Sequence, residues 1–230
     1  MERGLAIVSH CLHDKVHEAS RIDNLFLARF ALFDGVAAHA LTELAYRATR
    51  RTYARGALIR ACDAGRHDVV VIAHGLAALY RLARDGQEIL LDPLYPGDAI
   101  GFASDEAKVL TTDTIVYRLP APLVRRLMAT SPQFEAEARA ARDRRLARAE
   151  ERAAEFASCD STTRLGYMLA RLAARLGSEV AVARVDLAGL IVTKPGEVSR
   201  GLAKLAAQGL VDKSSTRAVI VLDRAGLEAL

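Results

Sequence analysis

Between Pro132 and Cys159 the chain runs "QFEAEARAARDRRLARAEERAAEFAS" with no glycine and no further proline. Ala, Arg and Glu are strong helix formers, so this stretch predicts one long helix. Small or apolar residues recur within it at Leu146, Ala149, Ala153 and Phe156, a 3-4-3 spacing that places them in one narrow seam. Such a seam can lie on its own domain or pair with a copy of itself. The length of the helix and the charged surface flanking the seam favour pairing, and hence a homodimer. The helix also divides the chain, because the residue patterns before and after it differ.

Ahead of it, "ALFDGVAAHALTELAYRATRRTYARGALI" begins as a short apolar helical stretch and turns into strand-favouring residues. From there to about Pro120, short runs alternate with turn signals: "HDVVVIAHG", "LAALYRLARDGQ", "EILLDPLYPGD" and "TDTIVYRLP". In the second run Leu76, Ala78, Tyr80 and Leu82 form one face, and Asp85-Gly86 supplies a hairpin turn. Strands this short and this evenly spaced predict an antiparallel sandwich or roll.

Behind the helix the chain reads as a compact helical unit closed by a hairpin. "STTRLGYMLARLAARLG" is an amphipathic helix ending at Gly177, "VDLAGLI" a short helix capped by Asp186, and "KPGEVSRGLAKLAAQG" a third ending at Gly209. Proline suits a first helical turn, since its missing N–H would be unpaired there, so Pro195 marks a start with Lys194 or Thr193 as cap. Two strands, "LVDK" and "RAVIVLD", follow across Ser214-Ser215-Thr216. Two helices with a tight turn, then a hairpin, is the layout of a winged helix-turn-helix. The second helix of such a unit lays its N-terminal residues in the major groove, where a small Gly196 would let the backbone come close to DNA.

Charge agrees with that placement. Residues 161–230 carry 10 Lys/Arg against 6 Asp/Glu, whereas residues 1–160 carry 22 of each, so the whole net charge of +4 lies where a polyanion could use it. With 51% hydrophobic and 26% charged residues the chain belongs among soluble globular proteins. It shows neither a leader-type N-terminus nor an apolar run of about 18 residues, so a cytoplasmic location and no membrane partner are expected. Cys11, Cys62 and Cys159 are odd in number and far apart, which is no disulfide framework.

The order of roll, long helix and winged helix resembles the Crp/Fnr family of bacterial transcription regulators. Specific residues carry the resemblance. Gly56, Gly65, Gly75, Gly86, Gly97 and Gly101 stand in the turn positions of that family's cyclic-nucleotide-binding-type roll, and "VSRGLAKLAAQGLV" resembles its recognition helix and exit into the wing. The implied architecture is α+β: an N-terminal extension (1–24), a β-roll of sensor type (25–128), a dimerisation helix (129–160) and a winged helix-turn-helix (161–230). The implied partners are double-stranded DNA, a second copy of the chain and RNA polymerase. Arg200 matches a base-contacting residue of the family and Ser199 its common neighbour, while Glu197 occupies a position that is often Thr. Pro195 and Gly196 replace the polar pair that many members carry. Arg200, Glu197 and Ser199 are therefore the expected base contacts, with altered or relaxed sequence preference. Thr193, Lys194, Lys204, Lys213 and Arg217 are the expected phosphate contacts.

A second departure lies in the roll. Cyclic-nucleotide-binding members follow the last roll glycine with Glu and, further on, an Arg-Ser pair that holds the cyclic phosphate. Here "GDAIGFASDEAKVLTTDT" has Phe102 in the Glu position and contains no Arg. Burying an anionic phosphate without a cationic partner is costly, so cyclic AMP is not the expected ligand. His10, His13 and His17 would share one helical face with Cys11 beside them, a set of donors suited to zinc, iron or haem iron. The plainer reading of the same residues is a solvated terminal segment. The alternatives to a regulator are thus a metal- or haem-binding redox or gas sensor acting through the same domains, and a protein-binding module without specific DNA readout. No nucleophile, phosphate-cradling loop or HExxH-type motif points to an enzyme.

Overall fold

The computed structural model describes residues 24–63, 66–82, 84, 88–102, 106–215 and 218–230. It opens with α1 (Asn24–Leu27), a single 3-10 turn (Ala31–Phe33) and α2 (Ala38–Arg47). Nine strands follow: β1 (Thr49–Tyr53), β2 (Leu58–Arg60), β3 (Cys62–Asp63), β4 (Arg66–His74), β5 (Ala77–Leu82), β6 (Glu88–Leu94), β7 (Ala99–Ile100), β8 (Glu106–Val109) and β9 (Thr114–Pro120). They form two antiparallel sheets, one ordered β1-β9-β4-β3 with β7 also on β4, the other β2-β8-β5-β6. Val69–Ile72 of β4 and Ala77–Tyr80 of β5 are covered on both sides, which explains their unbroken apolar runs. In β4, Val70 and Ile72 point between the sheets, while Val69 and Val71 point outward to α1, α2, α3 (Ala121–Thr130) and the start of α4 (Pro132–Ser158). Of the face anticipated in β5, Leu76, Ala78 and Tyr80 are buried but Leu82 is exposed, and the opposite residues Ala77 and Leu79 are buried too. Gly56, Gly75, Gly97 and Gly101 all have positive φ. At Gly101 the reason is also steric, since a Cβ there would stand 2.3 Å from the Asp68 carbonyl oxygen. Gly65, Gly86 and the Asp85-Gly86 turn lie outside the described residues.

α4 begins on the Ser131 cap, whose hydroxyl accepts from the Phe134 amide, with Pro132 in the first turn. Beyond it come α5 (Ser161–Leu176), β10 (Glu179–Val180), α6 (Arg184–Leu190), α7 (Pro195–Ala207), β11 (Val211–Asp212), β12 (Val219–Val221) and α8 (Arg224–Glu228). The wing has three strands, β10-β12-β11; a two-residue strand such as β10 leaves no periodic trace in sequence. One apolar cluster joins this unit to the roll: Leu76, Ala78, Tyr80 and Leu90 pack with Leu165, Leu169, Leu187, Leu190 and Leu202. Among the described residues no helix is long and apolar enough to cross a membrane.

One local expectation is overturned. Asp186 does not cap α6; the helix starts earlier, at Arg184, with Ala183 as N-cap. The Asp186 carboxylate is buried and accepts from Arg55 Nε at 3.2 Å and Nη2 at 2.8 Å, a partner 131 residues away in the chain. Asp186 is the third residue of α6, inside the first turn, and its Oδ2 serves a tertiary ion pair instead of a cap.

Candidate nucleic-acid interface

The core side of α7 is Val198, Gly201, Leu202 and Leu205, which leaves the opposite side to solvent. Lys194 is the N-cap and makes no side-chain cap bond, Pro195 has no amide hydrogen to leave unpaired, and the Glu197 and Val198 amides donate to Lys194 O at 2.9 and 3.3 Å. Nothing lies within 4 Å of where a Gly196 side chain would begin. Gly196 is therefore not required by the fold of the isolated chain. Gly209 has positive φ and closes the helix, with its amide on Ala206 O and the Leu210 amide on Leu205 O, both at 3.0 Å.

Arg200, with 69% of its side chain exposed, donates from Nη2 to Glu197 Oε1. That bond, then the charges of Arg200, Lys204 and Lys194, hold the Glu197 carboxyl below the ordinary range. Lys194, Arg200 and Lys204 thus all lie within electrostatic reach of Glu197. The hydroxyl of half-buried Ser199 donates to Pro195 O at 3.2 Å and is engaged within the helix. Thr193 is half-buried in the turn, its amide on Ala188 O at 2.9 Å. Lys213 is exposed in the wing, where Asp212 accepts from the amide and hydroxyl of Ser214 at 2.8 and 3.0 Å. Arg217 and Thr216 lie outside the described residues, as do His10, Cys11, His13 and His17. Among the described residues no group of three or more His, Cys, Asp or Glu could hold a metal ion.

Leu146, Ala149, Ala153 and Phe156 are all exposed on the single chain, Leu146 by 59%. The inward face of α4 is unexpected. After Phe134 and Ala138 it carries Arg148, Arg152 and Glu155, which reach into both flanking units. Arg148 Nη2 donates to Asp92 Oδ2 at 3.0 Å; Arg152 donates to Leu91 O and Leu190 O; Glu155 accepts from Arg171, with Oε2 2.8 Å from Nη2. Burial pushes the Asp92 carboxyl up despite the pull of Arg148. Beside this face lies a cavity of about 420 Å³ between roll and helix, walled by Leu32, Leu94, Phe102, Ala138, Leu146 and Ala149 and bordered by Arg142 and Arg145. Arg142, Arg145, Arg148 and Arg152 follow one another at a 3-3-4 spacing, the one sign of this face that the residues alone carry.

An exposed helix start in a winged helix-turn-helix, joined by a long helix to a β-roll, defines a DNA-binding transcription regulator. Residues 163–230 match the family model of the Crp-like helix-turn-helix domain. The nitrogen fixation regulation protein FixK of Azorhizobium caulinodans is 25% identical over 195 residues, 79% of each chain. The probable transcriptional regulator flp of Lacticaseibacillus casei is 27% identical over 185 residues, covering 74% of this chain and 82% of that protein. FixK2 of Bradyrhizobium japonicum shares the fold with a TM-score of 0.71 at 22% identity, over 80% of this chain and 96% of that one. A CRP/FNR-family regulator of Thermus thermophilus does so with a TM-score of 0.63 at 18% identity, over 78% and 96%. Residues 163–230 thus carry a Crp-like helix-turn-helix domain, and the chain as a whole is similar in sequence to regulators of the Crp/Fnr type and shares their fold.

Proposed function

We propose that the protein works as a homodimer that places one α7 in each of two successive major-groove segments. The observation that carries this reading is the exposed cluster of Lys194, Glu197, Arg200 and Lys204 at the start and outer face of α7. Arg200 reads a guanine, Glu197 first orders Arg200 and then accepts from a base amine, and Ser199 contributes at the edge of the site. Thr193, Lys194, Lys204, Lys213 and Arg217 take phosphates and so set register without choosing sequence. The exposed α4 seam supports pairing, and RNA polymerase is the partner that a DNA-bound regulator of this family would address. Cyclic AMP held in the family's usual manner is not proposed, because the roll segment supplies no arginine.

Titration of the purified protein onto a selected DNA site at several salt concentrations tests the core of this. Affinity should fall steeply with salt, with a log–log slope of about −0.9 per phosphate neutralised. Arg200→Ala should cost about 1–3 kcal/mol of discrimination at the guanine step. Unchanged specific binding by that variant at fixed salt would remove α7 as the reading helix.

A further inference from the structure

Helix α6 ends immediately before the turn that launches α7, and a helix end leaves its last carbonyls without partners in the helix. Two of them, Leu190 O and Ile191 O, are held by arginines from different elements. Arg152 of α4, only 5% exposed, spans Leu190 O of the helix-turn-helix and Leu91 O of β6 in the roll with the two arms of one guanidinium. Arg164 of α5 donates from Nε to Ile191 O at 3.3 Å and from Nη1 to Cys159 O at 2.7 Å. Both guanidinium groups stand against the same ring: Arg152 lies 5.6 Å and Arg164 5.4 Å from the centroid of Phe156. Phe156 is the last residue of the exposed α4 seam.

We propose that Phe156 is a positioning residue through which pairing of α4 sets the helix-turn: its ring, seated in the pairing seam, holds the two arginines that grip the end of α6. This rests on the homodimer reading. Pairing takes the ring out of water, and the attraction between a cation and an aromatic face strengthens when both are desolvated. The arginines are then held more firmly against Leu190 O and Ile191 O. The next residues are Val192 and Thr193, whose amides close the turn onto Gly189 O at 3.4 Å and Ala188 O at 2.9 Å, and α7 starts at Pro195. Loss of the partner chain loosens the turn without breaking any bond within it.

Hydrogen exchange of the Val192 and Thr193 amides, measured on the full chain across a dilution series, tests this without DNA. Sedimentation of the same samples reports the dimer. In the native protein these amides should exchange at least about tenfold faster once the dimer has dissociated, because their opening is local. Phe156→Trp should keep that concentration dependence. Phe156→Leu, which retains apolar bulk in the seam, should lose it while still pairing, and Arg152→Met should exchange fast at every concentration. Exchange that ignores dissociation in the native protein would overturn the proposal, as would a Phe156→Leu dimer that behaves like the native one. A chain that never pairs at any concentration overturns the homodimer reading and this coupling together; loss of DNA binding alone leaves the coupling standing.

Discussion

Val192 is the residue at which local chemistry and the fold disagree most. Its φ is +50°, a left-handed conformation that costs a residue with a Cβ about 1–2 kcal/mol and is rarer still for a β-branched side chain. The side chain is 55% exposed, so little burial offsets the strain. Glycine would relieve it but loses about 0.5–1 kcal/mol in chain entropy. Val192→Gly should therefore raise stability, by up to about 1 kcal/mol in urea denaturation. Asp160 is the reverse case, a residue that fits its place. Its carboxylate caps α5 by accepting from the Thr163 amide at 2.7 Å, and that bond holds it below the ordinary range. A carboxylate with a depressed folded-state pKa stabilises fully above its unfolded value, about pH 4, and ceases to do so as pH falls through the folded value. Asp160→Ala should cost about 1 kcal/mol at neutral pH. The gap to the native protein should close as the medium is acidified below about pH 4, as stepwise denaturation would record.

α4 presents two regular faces with different work to do. Leu146, Ala149, Ala153 and Phe156 are exposed on the single chain, Leu146 and Ala149 at the edge of the cavity and Phe156 beside Arg152 and Arg164, whereas Arg148, Arg152 and Glu155 bind its own flanking units. A change on the first face should leave the folded chain intact. Leu146→Glu puts like charges against each other across a two-fold seam. Sedimentation should show dimer dissociation at concentrations at least about tenfold above native, with a melting temperature for the chain that moves by no more than a few degrees. Collapse of folding instead would mean that the seam packs on its own chain. The regular arginine spacing on the second face was visible in the sequence, but a charged stripe there reads as a solvated surface. Only the neighbouring carbonyls of Leu91 and Leu190 turn it into an interior.

At the scale of the whole molecule, the roll and the winged helix share one apolar cluster, and the Arg55–Asp186 pair crosses the same boundary. The pair is lopsided, since 43% of the Arg55 side chain is exposed but only 6% of the Asp186 side chain. Removing the exposed partner strands a buried charge, while removing the buried one returns an arginine to water. Arg55→Ala should therefore cost about 1–3 kcal/mol, and Asp186→Asn distinctly less. Equal losses in denaturant melts would mean that the burial of the Asp186 carboxylate does not set the asymmetry. A shared core further means that the two units should unfold in a single transition.

The residues alone determined where α4, α5 and α7 start and stop, because propensity, proline and cap chemistry act within a few positions. The long α4, the entry of α7 at Pro195 and its exit at Gly209 were legible for that reason, and of the roll glycines singled out Gly56, Gly75, Gly97 and Gly101 have positive φ. Tertiary structure alone decided the partners. Asp186, placed to cap a helix, is claimed by Arg55 from the far end of the chain. Arg152, which looks like one more surface arginine, is buried at the meeting of roll, long helix and helix-turn-helix. Long-range ion pairs and two-residue strands leave no local period to read, since their energy comes from groups that only the folded chain brings together.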